Sequence, residues 1–148
     1  MAQQPSSSGI KVGWLYSLLC VVPTLVGVAI YTAARKIVPL PLHDLMNHFG
    51  LLELRSDEIV SWFDSNAVTK VIRDSLPHAL WTFALTAFVL LATRNMPRTV
   101  QRTYLGLAYV LVLVLETSVG TFDLIDLASA TCAMLLAAVT IWAIKNPD

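Results

Sequence analysis

Five ionisable side chains that could take part in acid–base chemistry lie at the ends of apolar stretches: Asp74, His78, Glu116, Asp123 and Asp126. A carboxylate and a histidine together can move a proton or bind a cation. Inside an apolar helix a carboxylate is costly unless it is paired, hydrogen-bonded or hydrated. These positions therefore indicate either a working site or a set of structural contacts.

Glu116 is the least expected of the five, because it lies about one turn inside the end of an apolar helix. An ionised carboxylate in that place needs a partner. Arg35, Arg73 or His78 is expected to reach it from a neighbouring helix end. Two interpretations stay open: Glu116 carries a proton or binds a cation, or it locks neighbouring helices together.

The other four residues have plainer alternatives. Asp123 is expected to cap the last helix, and Asp126 has the spacing of the return half of a capping box. His78 follows Asp74 by four residues, so both lie on one helical face, and His78 is either a hydrogen-bonded interfacial histidine or an acid, base or ligand. We take Glu116, His78 and Asp126 as the catalytic candidates. Asp74 and Asp123 are the binding candidates.

No metal or cofactor pattern accompanies these residues, so neither is expected. His43 and His48 are five residues apart and fall on different faces of a helix, and the HExxH spacing is absent. Cys20 and Cys132 both lie in apolar stretches, where unpaired, buried thiols are expected. The chain also lacks a GxSxG nucleophile motif and a Gly-rich phosphate loop.

The composition indicates an integral membrane protein. Of 148 residues, 56% are hydrophobic and 14% are charged, whereas a soluble domain is about 25% charged. The net charge of zero argues against a nucleic-acid partner.

The apolar pattern predicts an all-α fold, a bundle of four transmembrane helices. A span needs about 20 apolar residues, and the predicted spans are residues 12–34, 76–93, 104–119 and 124–144. Residues 1–10 are expected to be a polar cytoplasmic tail, and 11–148 a single membrane domain. The hairpin of the last two spans is expected to organise the chain, and Asp74 to Pro77 to open the second span.

Residues 37–73 are expected to be extracytoplasmic and to contain short amphipathic helices between the first two spans. Gly50 is a predicted helix stop, and Ser56 a predicted N-cap. After Ser56, the apolar residues of the second short helix are predicted to share one face: Ile59, Trp62, Phe63 and Ala67. Two interpretations are open: the segment lies on the bilayer, or it folds over the bundle as a lid.

Charge asymmetry predicts the orientation. Arg94, Arg98 and Arg102 cluster in one short loop, which should be cytoplasmic, as should both termini. The acidic and histidine candidates then converge at the extracytoplasmic face of what we expect to be a bacterial inner membrane.

The order of these residues resembles the VanZ-like membrane proteins over about residues 74–138. Asp74-x-x-x-His78 begins one span, Glu116 ends the next, and Asp123-x-x-Asp126 leads into a helix of small residues. The resemblance implies a small helical protein with a role in the cell envelope, in a family associated with envelope stress and glycopeptide resistance.

Two functions are compatible with this pattern. In the first, Glu116 and His78 handle a proton while Asp123 or Asp126 binds a cation or amine, and the partners are membrane lipids or lipid-linked envelope precursors. In the second, the chain is a non-catalytic accessory subunit that packs through its small residues against other membrane protein subunits. A transporter is less favoured, because the cytoplasmic halves of the spans supply almost no polar residues.

Overall fold

The computed structural model describes residues 13–34, 44, 47–48, 50, 56–119 and 124–145, without the side chains of 115–119 and 145. This part of the chain contains helices and turns and no strand. The helices are α1 (Gly13–Ala34), α2 (Asp57–Asp64), α3 (Ala67–Ala92), α4 (Arg98–Val119) and α5 (Leu124–Lys145).

Three helices, α1, α3 and α5, are long and apolar enough to cross a membrane. They indicate a multi-pass membrane protein. Large apolar side chains also remain exposed on the outside of the described bundle, as expected where lipid is the solvent. They include Leu18 and Leu25 on α1, Leu107 and Val110 on α4, and Leu135 and Val139 on α5.

Helix α1 widens just before Pro23. Pro23 has no backbone N–H and its ring crowds the preceding turn. The residues just before it, Ser17–Val21, form a π-helical turn in which the N–H of Val22 donates to the carbonyl of Ser17. The distortion beside Pro23 is therefore one wide turn, and the helix continues beyond it to Ala34.

Helix α3 is the centre of the fold. It contacts every other helix of the described chain, most extensively α5 and α1. The prediction that the hairpin of the last two spans organises the chain is therefore wrong. Residues 104–119 and 124–144 fall within α4 and α5, but both helices pack against α3.

Helix α3 begins nine residues before the predicted start of the second span. Asn66 caps it: its side chain accepts from the N–H of Thr69 at 2.9 Å, and the Thr69 hydroxyl oxygen accepts from the Asn66 N–H at 3.3 Å. The prediction that Asp74 opens this helix is therefore wrong. Pro77 lies well inside α3 and is fully buried, so the carbonyl of Arg73 lacks its usual intrahelical donor.

The turn between α3 and α4 is short and closed by side chains. The Gln101 amide donates to the carbonyl of Thr93 at 2.8 Å, and the Thr93 hydroxyl donates to the carbonyl of Val89 at 2.7 Å. The Gln101 amide thus supplies a donor to a carbonyl just beyond the end of α3, while the Val89 carbonyl accepts from both the hydroxyl and the N–H of Thr93. As a result α4 begins at Arg98, earlier than the predicted residue 104.

Side-chain contacts fix the direction of the helices. Ser75 near the start of α3 meets Asp126 in the first turn of α5, so these two helices start at the same end of the bundle. Tyr31 of α1 packs on Trp81 of α3, with ring centroids 5.5 Å apart. Because Tyr16, earlier in α1, packs on Phe88, α1 runs antiparallel to α3 and ends where α3 begins.

Candidate functional site

The polar residues of the structure gather where α3 and α5 begin and α1 ends. We call this the polar end. Its described members are Asp64 of α2, Asp126 of α5, and Arg73, Asp74, Ser75 and His78 of α3. Three of the five predicted site residues, His78, Asp74 and Asp126, therefore lie at one end of the bundle.

The best-defined interhelical contact of the polar end joins Ser75 to Asp126. The Ser75 hydroxyl donates to Oδ1 of Asp126 at 2.7 Å, and Ser75 is only 6% exposed. Asp126 lies in the first turn of α5, where the helix dipole stabilises a negative charge. The Asp126 side chain thus reaches across to α3. The predicted capping-box contact involves the backbone of Asp123, which lies outside the described residues.

The Asp126 carboxylate has no basic partner in the described part of the chain. Its side chain is half-buried, and Ser75 is the only group there that donates to it. A neutral hydroxyl compensates a carboxylate charge less than a guanidinium does. The second carboxylate oxygen, Oδ2, is therefore available for a cation, an amine or a proton.

Arg73 is the obvious candidate to neutralise Asp126, and it is occupied elsewhere. Its Nε and Nη2 donate to the two carboxylate oxygens of Asp74 at 2.8 and 2.9 Å, while Nη1 contacts Asp64. This arrangement ties α2 to α3. The predicted binding residue Asp74 is consequently engaged by its own neighbour in the chain.

His78 lies one turn beyond Asp74, as the spacing predicts, in a half-buried aromatic setting. Its ring meets Trp81 edge to face, with centroids 5.7 Å apart. The Trp81 indole N–H in turn donates to the carbonyl of Thr24 on α1 at 3.4 Å. His78 is thus positioned where α3 packs against α1.

Two predicted site residues fall outside the described side chains. Asp123 lies in the undescribed connection 120–123, and the Glu116 side chain is likewise undescribed. The backbone of Glu116 lies in the last turns of α4, three residues before that helix ends at Val119. The connection that follows leads directly to α5, so the chain order keeps Glu116 close to the polar end.

Ser75 is the residue that the sequence did not reveal as part of the site. Serine is common in helices that pack closely, and the partner of Ser75 is 51 positions away. A weak signal was present, since Ser75, Thr82, Thr86 and Thr93 recur on one face of α3 and all are buried. That face marks a tightly packed side of the helix.

The arrangement is compatible with binding or proton transfer at a single carboxylate. No group of three or more potential metal ligands occurs among the described residues. The site chemistry that the structure defines is a carboxylate oriented by a hydroxyl, with a histidine on the adjoining helix. Searches against known protein families, characterised proteins and solved structures find no match to this chain.

Proposed function

We propose that this protein is a small inner-membrane protein of the bacterial cell envelope, and that the polar end is its working site at the extracytoplasmic face. Asp126 supplies the negative charge that binds a cationic or amine group or accepts a proton. His78 assists on the α3 side and Glu116 on the α4 side. The resemblance to VanZ-like proteins supports the envelope role, and lipids or lipid-linked precursors are the proposed ligands.

The observation that carries this proposal is the contrast between Asp126 and Arg73. A purely structural carboxylate at a helix end is normally paired or fully hydrogen-bonded. In the described chain, Arg73 pairs with Asp64 and Asp74, while Asp126 contacts only the Ser75 hydroxyl. The fold therefore orients the Asp126 charge without neutralising it, which is the property of a binding or proton-accepting group.

The direction of the chain supports a fourth span. Helix α3 ends at the opposite end of the bundle, and α5 begins at the polar end, so α4 has to bring the chain back. Its 22 residues give a length of roughly 33 Å. Its apolar part, from Tyr104 onward, covers roughly 24 Å, most of a hydrocarbon core about 30 Å thick. Arg94, Arg98 and Arg102 precede its apolar part and support a cytoplasmic location for that turn, with both termini on the same side.

The test is complementation of a deletion strain under envelope stress, with a glycopeptide and a membrane-active detergent as two separate challenges. Asp126→Asn keeps the size of the side chain and an acceptor for Ser75 but removes the charge. We expect it to fold normally and to fail to restore growth. Asp57→Asn, at an exposed position of α2, is the matched control and should complement fully.

Normal growth with Asp126→Asn would contradict a working site. A deletion strain with no defect under either challenge would contradict the envelope role. Protein levels in the membrane fraction, measured for both variants, separate loss of function from loss of protein.

An accessory subunit is the second candidate, since the polar contacts between the helices are also those of a purely structural bundle. Three polar side-chain contacts join different helices: Ser75 with Asp126, Arg73 with Asp64, and Tyr109 with Thr131, the last at 3.0 Å. Such contacts hold a bundle together whether or not it binds a ligand. Native-size analysis in mild detergent distinguishes the candidates. A subunit runs as part of a larger assembly and Asp126→Asn disrupts that assembly, whereas in the site proposal the assembly state does not change.

A further inference from the structure

Helix α2 carries three distinct faces, and only one of them packs on the bundle. Val60 is 4% exposed, and Asp64, one turn later on the same side, contacts Arg73 of α3. Ser56 fixes the start of the helix, since its hydroxyl accepts from the N–H of Ile59 at 3.2 Å. Val60 and Asp64 therefore determine how α2 is rotated about its own axis.

The second face is apolar and is left open by the rest of the described chain. Ile59 is 38% exposed and Trp62 is 58% exposed. The rings of Trp62 and Phe63 meet edge to face, with centroids 4.9 Å apart, and stiffen this surface. The sequence predicted that Ile59, Trp62 and Phe63 share a face, but the fourth predicted member, Ala67, begins α3 instead. The bundle covers a different face of α2, the one that carries Val60.

The third face is polar. Asp57, Glu58 and Ser61 are all exposed. At about 100° of rotation per residue, Asp57 and Ser61 lie away from the apolar face. Glu58, one turn before Trp62, lies at the border between the two faces. A helix with one apolar and one acidic exposed face is suited to a boundary between an apolar phase and water.

We propose that α2 lies in the interface of the bilayer at the polar end, with Ile59, Trp62 and Phe63 inserted among the lipids and the acidic face in water. Its partner is the lipid surface itself. Eight residues are too few to span a membrane, and tryptophan is enriched at the headgroup level.

The position of α2 relative to the spans supports lipid as the occupant. Only Ser65 and Asn66 separate α2 from α3, a helix apolar enough to cross the membrane. Val68 and Ile72 in the first turns of α3 are exposed apolar side chains as well. A lid that covered the bundle would turn Trp62 inward, whereas the ion pair of Asp64 with Arg73 turns it outward.

A single nitroxide spin label measures this directly. Trp62→Cys and Ser61→Cys are each labelled in a Cys20→Ala/Cys132→Ala background and reconstituted in phosphatidylcholine vesicles. Collision rates are then measured with oxygen, which concentrates in lipid, and with a water-soluble nickel chelate. We expect the label at residue 62 to collide mainly with oxygen and the label at residue 61, on the polar face, mainly with nickel.

Two outcomes would overturn the proposal. Frequent nickel collisions at both positions would mean that α2 extends into water. Low collision rates with both reagents at residue 62 would mean that protein covers the face. Quenching of native Trp62 fluorescence by brominated lipids, taken as the difference between the wild type and Trp62→Phe, repeats the test without the cysteine variant. It gives the same answer whether or not Asp126 is a working residue.

Discussion

Trp81 of α3 lies directly on the backbone of Gly27 in α1. A Cβ placed on Gly27 would be 2.6 Å from the indole Nε1 and 2.9 Å from Cδ1. Distances that short require the indole or a helix to move. The same indole contacts the rings of Tyr31 and His78. A movement of the indole would therefore also change the packing around His78 at the polar end.

Gly27→Ala should therefore destabilise the fold. Overpacking of this kind costs about 1–3 kcal/mol, which exceeds the gain of about 0.5–1 kcal/mol that alanine normally brings to a helix. Thermal unfolding in detergent measures the difference. Gly106→Ala is the matched control, because nothing lies within 4 Å of its Cβ position, and it should be neutral or stabilising. Equal effects at the two glycines would contradict the close approach of α1 and α3.

Ser75→Ala should destabilise the protein by about 1 kcal/mol, because it removes the donor to a half-buried carboxylate. Asp126→Asn keeps an acceptor for Ser75 and should leave stability nearly unchanged. The two variants, followed by thermal unfolding in detergent, separate the hydrogen bond from the charge. A large loss of stability in Asp126→Asn would show that the charge itself holds the bundle, and the accessory-subunit proposal would then be preferred.

Arg73→Lys should weaken the attachment of α2 to α3, although the substitution conserves the positive charge. One guanidinium contacts both Asp64 and Asp74, and an ammonium cannot reproduce that planar geometry. We expect a loss of about 1 kcal/mol, the upper end for solvent-exposed ion pairs, and faster amide hydrogen exchange in α2. Asp64→Asn should accelerate exchange in α2 without affecting α5. Unchanged exchange in both variants would show that Val60, and not the ion pair, holds α2.

The apolar runs were sufficient to locate the long helices, because a bilayer demands about 20 apolar residues whatever the tertiary contacts. The start of α3 was missed for a physical reason. Lys70, Arg73 and Asp74 made its first turns look like a polar connection, yet Asn66 caps the helix and Asp64 and Asp74 compensate Arg73. Charges that neutralise one another within the fold do not end a helix.

The candidate site was predictable in part. Asp126 and His78 were found because ionisable residues at span ends are uncommon, and the structure places both at the polar end. The role of Ser75 was not predictable, since it depends on α3 and α5 starting at the same end of the bundle. The sequence also could not show which apolar residues of α2 are buried. Val60 and Ile59 are adjacent in the sequence, and it is the contact of Asp64 with Arg73 that turns Val60 toward the bundle.

Tyr109 links α4 to α5, and the direction of its hydrogen bond can be assigned. Its hydroxyl lies 3.0 Å from that of Thr131, and the Thr131 hydroxyl donates to the carbonyl of Leu127 at 2.8 Å. A threonine hydroxyl has a single proton, so Tyr109 is the donor to Thr131. Tyr109→Phe and Thr131→Val should each lower stability, because each removes one half of this contact.

The double variant isolates the interaction from other effects of the two substitutions. Hydrogen bonds between membrane helices contribute about 0.6 kcal/mol on average, and we expect a coupling energy of that size from unfolding in detergent. Thr131→Ser keeps the acceptor hydroxyl and should preserve most of the coupling. A coupling energy of zero would mean that the hydrogen bond between Tyr109 and Thr131 does not stabilise the packing of α4 against α5.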